Sequence, residues 1–206
     1  LCGDLCYYMA AEAFPGYERY CLIESDVYLP VESVEPFVAA MNKHPSDAIA
    51  AQLGPTTSRK VFSRDLAQLG LDPAWGCIFP VSCVSAKLLS AMKALRREGL
   101  ETHPEARLND EAILVGAIQR GNFTYETLEN VLPQEVSRSC FETNPPHLFE
   151  AIVTRTEEVR LFHPVITFDT AIDRISTGEK SYPNHRLRKV LKAAPEPLKQ
   201  RLIQAL

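Results

Sequence analysis

No stretch of the 206-residue chain approaches the ~20 uninterrupted apolar residues of a membrane span. Only 9 residues are glycine, which excludes a collagen-like repeat. None of the six cysteines stands in a Cys-x-x-Cys pair, so zinc-ribbon and thioredoxin-type motifs fail on spacing. A Gly-x-Ser-x-Gly nucleophile elbow is absent, and so is a phosphate-cradling glycine loop. Serine hydrolase and nucleotide kinase chemistry are therefore not expected. The seventeen aromatic residues are scattered, without the clustering that stacks RNA bases. Positive charge is not in excess either: 22 Lys and Arg face 26 Asp and Glu, for a net charge of −4. Nucleic-acid binding by the whole surface is not expected at that balance.

What is present suits a globular chain. Hydrophobic residues make up 46% and charged residues 23%, too apolar for a disordered chain. A chain this long buries on the order of 70% of its unfolded surface. Cys2, Cys6, Cys21, Cys77, Cys83 and Cys140 read as free, mostly buried thiols in a reducing compartment. The first residue is Leu, and no basic start with an apolar stretch follows. No signal peptide is expected, and the chain reads as an excerpt of a longer, cytoplasmic product. The local exception in charge lies near the end. Arg186, Arg188, Lys189, Lys192, Lys199 and Arg201 are opposed there only by Glu196. They form either a solvated helix face or a contact for phosphate or an anionic membrane surface.

Periodicity predicts helices at 4–14, with Asp4 as N-cap and Pro15-Gly16 as stop, and at 33–43, 85–97 and 109–120. Three more close the chain at about 167–175, 184–193 and 197–205. In helix 85–97 Leu88, Leu89, Met92 and Leu95 share one face. Strands are expected at Tyr20–Ile23, buried on both faces, and at Asp47–Leu53, Trp75–Phe79, Phe123–Leu128 and Val159–Phe162. Residues 54–74 read as a long loop with one short helix, and 133–146 as irregular. Helices alternating with buried strands give an α/β class with a mainly parallel central sheet. Ligands of such sheets bind beyond the carboxyl ends of the strands.

That rule directs attention to Tyr20-Cys-Leu-Ile-Glu-Ser-Asp. A buried strand runs straight into Glu24 and Asp26, spaced so that both side chains point the same way in extended chain. Two convergent carboxylates suit a hard divalent cation, Mg²⁺ or Mn²⁺; they equally suit a solvated turn. Asn109-Asp110-Glu111 opens a strong amphipathic helix. Its acids serve there either as ordinary capping charges or as a general base aimed at a substrate hydroxyl. His163-Pro164 ends an apolar stretch, and a neutral imidazole is a metal ligand as well as a structural group.

Together, the strand-acid-x-acid segment, the small-residue loop Trp75-Gly76-Cys77, the Asn-Asp-Glu helix start and the late His-Pro resemble GT-A-fold, family 2-like glycosyltransferases, in order and approximate spacing over residues 3–165. The resemblance implies a metal-dependent transfer of a sugar from a nucleotide diphosphate to a hydroxyl of a glycan or lipid-linked acceptor. By resemblance Asp26 is the metal ligand, Glu24 lies near the ribose or the metal, and His163 completes the metal shell. Asp110 becomes the base, with Glu111 as second choice, and Trp75 and Gly76 contact the acceptor sugar. Residues 1–165 would be a partial GT-A-like catalytic domain and 166–206 a helical tail able to touch a membrane peripherally. The family's pattern differs in three places: Glu24 stands for Asp, Ile166 stands where relatives carry Lys, and about three βα units normally precede the metal motif. Two other classes fit the same residues. One is a metal-dependent phosphoryl-transfer or hydrolase domain, and the other an inactive binding module.

Overall fold

A computed structural model describes residues 3–56, 62–105, 108–143, 146–154, 160–177, 184–192 and 194–205. The chain divides into two compact units. Leu1–Glu24 with Phe37–Pro133 form the first, and Ser25–Pro36 with Gln134–Leu206 form the second. Helix α2 (Val31–Lys43) contributes residues to both. Most of the expected elements are present, and four differ from expectation.

The first unit is built on a four-stranded sheet of β1 (Arg19–Ile23), β2 (Ala48–Pro55), β3 (Trp75–Ser85) and β4 (Tyr125–Thr127), in the order β1-β3-β2-β4. Strand β3 is antiparallel to both of its neighbours, and β4 is parallel to β2. Three strands therefore share one direction and β3 opposes them. The sheet is mixed, not mainly parallel as expected. The difference arises in residues 54–74. Among their described residues these hold one short helix, α3 (Ser63–Gln68), and on either side of it Pro55 faces Trp75 and Gly54 faces Gly76. Continuous apolar runs such as those of β2 and β3 mark burial on both faces but carry no direction.

Strand β1 is a second correction. It is an edge strand, with Cys21 and Ile23 exposed, whereas its apolar run suggested burial on both faces. A third concerns Asp4. Helix α1 (Asp4–Ala13) has Gly3 as its cap residue, and Asp4 is the first helical residue, wholly buried. It meets Arg96 of helix α4 (Ala86–Thr102) through two hydrogen bonds of 2.6 and 2.9 Å. Tyr8 donates to the same carboxylate at 2.9 Å.

Helix α4 buries the expected Leu88, Leu89, Met92 and Leu95. These join Phe79, Val84, Ile113, Leu114 and Ile118 in one core, the last three from helix α5 (Asp110–Gly121). Ser85 caps α4: its hydroxyl accepts the Leu88 N–H at 3.1 Å and donates to Asp47 at 2.9 Å. Ser85→Ala loses both bonds, and chemical denaturation is expected to show about 1–2 kcal/mol less stability. Asn122 ends α5 in the left-handed region, which asparagine tolerates. Strand β4 leads into α6 (Leu128–Val131), which shortens the expected strand at Leu128.

In the second unit β5 (His147–Leu148) and β6 (Val165–Ile166) form a two-residue parallel pair. The expected strand 159–162 is the fourth correction. Val159 lies outside the described residues, and Phe162 makes an isolated antiparallel bridge to Tyr28. Helices α7 (Phe149–Ile152), α8 (Phe168–Thr177), α9 (Asn184–Lys192) and α10 (Glu196–Ala205) follow. Leu148, Ile166, Phe168, Ala171, Leu187 and Leu191 form their core, so the basic tail is an amphipathic set of packed helices. Lys199 pairs with Glu196 and Arg201 with Asp169. Among the described residues no helix is long and apolar enough to cross a membrane.

Candidate metal centre

Strand β1 ends at Ile23, and the next residue, Glu24, donates its N–H to the Pro80 carbonyl of β3 at 2.9 Å. The next residues belong to the second unit and take their partners there. The Asp26 carbonyl accepts the Val165 N–H at 2.8 Å, and Tyr28 and Phe162 exchange backbone bonds of 2.9 and 3.1 Å. Ser25 and Asp26 thus form a turn, not the extended stretch expected, and the chain leaving it runs antiparallel to residues 162–165 at Tyr28. This brings Asp26 beside His163 across 137 intervening peptide bonds.

His163 is held from several sides. Its N–H donates to the Cys140 carbonyl at 2.9 Å, its own carbonyl accepts from Glu142 at 3.1 Å, and its ring tilts against Phe141. Ring Nδ1 lies 2.7 Å from the Glu142 carbonyl oxygen. A carbonyl only accepts, so Nδ1 carries the proton and Nε2 keeps its lone pair. Nε2 stands 3.7 Å from Asp26 Oδ1. The ring is 6% exposed, and burial holds the imidazole below its ordinary titration range even though Asp26 and the Glu142 carbonyl pull the other way. The side chain is therefore neutral at pH 7, the form that binds metals.

The donor set fits a divalent cation. Adjacent ligands at ~2.1 Å from a metal are themselves about 3–3.5 Å apart. The observed 3.7 Å is close to that spacing. One anionic oxygen and one neutral nitrogen suit Mn²⁺ or Mg²⁺, with the imidazole favouring the transition ion. Glu24 closes the first unit two residues before Asp26 along the chain, and it is a residue of the same metal-ligating type. Beside Asp26 the second unit has a cleft of about 250 Å³, lined also by Tyr28, Phe149, Val165 and Thr167. The Tyr28 and Phe149 rings meet edge to face at 5.9 Å along it. A space below the ~300–1,000 Å³ of drug-sized pockets is the size of one small group, such as part of a diphosphate, and not of a whole nucleotide.

The other expected residues lie in the first unit. Asp110 opens α5 and is 5% exposed. Its Oδ2 accepts the Gly3 N–H at 2.8 Å and its Oδ1 the Glu111 N–H at 3.0 Å. Burial raises its carboxyl above the ordinary range. The nearby Asp4 charge adds to that, and the two backbone donors oppose it. Glu111 is half-buried and accepts from the Asn109 side chain at 3.0 Å. Trp75 and Gly76 are not in a loop: they begin β3, with the Trp75 ring edge-on to Tyr125 at 5.1 Å.

The structure thus brings Asp26 and His163 together in one unit. It sets Asp110 beside Glu111, and Trp75 beside Gly76, in the other. Two features escaped the sequence. The Glu142 contribution is a backbone carbonyl, which leaves no trace in side-chain pattern. The Asp4–Arg96 pair was hidden because each residue alone suits its helix, one at an N-terminus and one on an apparently solvated face. Comparison with protein-family models, curated proteins and solved structures finds no match for this chain.

Proposed function

We propose that the chain is the metal-binding part of a glycosyltransferase that uses a nucleotide-diphosphate sugar, with a GT-A-like arrangement of its α/β sheet. The observation that carries this reading is the Asp26–His163 pair, with the imidazole locked by Glu142 so that its lone pair faces the carboxylate. The residue order described above supports it. So do the three codirectional strands of the mixed sheet, the first of which is followed directly by Glu24.

In this reading Asp26 and His163 hold the cation, and Glu24 stands near the metal or the donor's ribose. When bound, a divalent cation there supplies Lewis-acid neutralisation of the diphosphate leaving group. Asp110 accepts the proton of the acceptor hydroxyl. Burial raises the proton affinity of its carboxyl, the direction that strengthens a base. Trp75 offers an aromatic face to the apolar side of a sugar. The acceptor class is a glycan or lipid-linked hydroxyl.

The test is a panel of nucleotide sugars with Mn²⁺ and simple hydroxyl acceptors, followed by release of nucleoside diphosphate. Release that needs the sugar donor and stops on chelation supports the reading. Chelator-sensitive release of phosphate from substrates lacking a sugar would replace it with a phosphoryl-transfer activity. His163→Ala is expected to weaken Mn²⁺ binding by about 10–100-fold, measured by the manganese electron-spin signal.

A further inference from the structure

Cys21 and Cys83 lie directly opposite each other on the antiparallel strands β1 and β3. The ladder bonds on either side fix what kind of pair this is. Ala86 N–H donates to the Glu18 carbonyl, and Glu24 N–H donates to the Pro80 carbonyl. Hydrogen-bonded pairs recur at every second residue between those ends, which makes 20 with 84 and 22 with 82 hydrogen-bonded pairs. Cys21 with Cys83 is then a non-hydrogen-bonded pair, where Cα atoms approach to about 4.5 Å and side chains come closest. That separation lies within the ~4.4–6.8 Å a disulfide spans. The two sulfurs are in direct contact, at 2.7 Å.

The two thiols differ in ways that divide the labour. Cys21 is exposed on the edge strand, whereas Cys83 is buried in the sheet. The sulfur contact with Cys83 holds the Cys21 thiol below its ordinary range, against the effect of burial. The Arg19 guanidinium, two residues earlier on the strand, adds to the lowering. Cys83 is pushed up by the same contact and by burial. An accessible thiol of lowered proton affinity beside a cation is the usual setting of a reactive cysteine, and its partner stands ready to resolve it.

We propose that Cys21 and Cys83 form a reversible disulfide site on the edge of the first unit's sheet, with a hydroperoxide as oxidant. The Cys21 thiolate attacks one peroxide oxygen. The O–O bond breaks, and the hydroxide released takes a proton to leave as water. The sulfur of Cys83 then attacks the Cys21 sulfenic sulfur, forming S–S and breaking S–O, and the Cys83 proton departs with the hydroxyl as a second water. Two thiols are oxidised by two electrons, and one hydrogen peroxide is reduced to two waters. The bond ties β1, the strand that precedes Glu24, covalently to β3. It closes a long loop of chain, so the oxidised form melts about 5–10 °C higher.

The test treats the full chain with one equivalent of hydrogen peroxide and reads intact mass and thiol count. The expected result is a monomer lighter by about 2 Da with two fewer thiols. A peptide map links the fragments that contain Cys21 and Cys83, and dithiothreitol restores both. Cys21→Ser, an exposed and conservative change, abolishes the mass loss, while Cys77→Ser, in the same region of β3, retains it. Circular dichroism of each variant separates chemistry from misfolding. Oxygen adducts without the mass loss, covalent dimers, or a 2 Da loss that persists in Cys21→Ser would each overturn the proposal.

Discussion

Arg96→Met is expected to cost about 3–5 kcal/mol of stability. The Asp4 carboxylate is wholly buried, and the Arg96 side chain is 9% exposed. The guanidinium donates twice to Asp4 and once to the Leu108 carbonyl, which joins the starts of α1 and α5 to the middle of α4. Removing the cation leaves a buried anion whose remaining named donor is the Tyr8 hydroxyl. The hydrophobic gain from Met does not offset that desolvation. Asp4→Asn combined with Arg96→Met removes both charges and should recover much of the loss. Urea denaturation of the single and double variants measures the difference. A single variant within 1 kcal/mol of the parent would show that the pair is solvated or absent.

On the glycosyltransferase reading proposed above, Asp110→Asn is expected to reduce transfer by about 10²–10⁴-fold, the usual contribution of a general base. Folding should survive, because Asn keeps one acceptor oxygen for the Gly3 or the Glu111 N–H. Glu111→Gln, which alters the half-buried neighbour, should cost less than tenfold if Asp110 is the base. The reverse ranking would move the role to Glu111. The pH dependence of stability gives a second readout. Burial raises Asp110, so the folded chain binds that proton more tightly than the unfolded chain, whose carboxyl titrates near ~3.9. The stability this group adds is fully present below the unfolded value and is lost as pH rises through the folded one. The Asn variant lacks that decline, so its stability relative to the parent should improve from acid toward neutral pH.

Much of the architecture was legible in local chemistry. Asn109 caps its helix as the sequence suggested, accepting the N–H three residues on, whereas Ser85, read as the first residue of its helix, is instead its cap. The Leu88–Leu95 stripe is buried, as its helical period requires. Strand direction was not legible, because Trp75–Ser85 reads as a buried strand whichever way it runs. Nor was the position of β1: Tyr20–Ile23 has the apolar run of a central strand but lies at an edge. The candidate site divides in the same way. Asp26 and His163 were found by type and by place at the end of an apolar stretch. Their meeting depends on backbone bonds between 26–28 and 162–165, which no side-chain pattern encodes. Asp110 was found as a helix-start acid. Its burial depends on Gly3, a contact 107 residues away in sequence.

The central claim is that Asp26 and His163 hold a divalent cation that binds a diphosphate. Calorimetric titration of a panel of nucleoside diphosphates, with and without Mn²⁺, into the parent chain and into Asp26→Ala tests it most directly. The expected result is binding by the parent that requires Mn²⁺ and is lost in Asp26→Ala, with both proteins equally folded. Binding that is indifferent to Mn²⁺, or that is retained at parental affinity in Asp26→Ala, would contradict it.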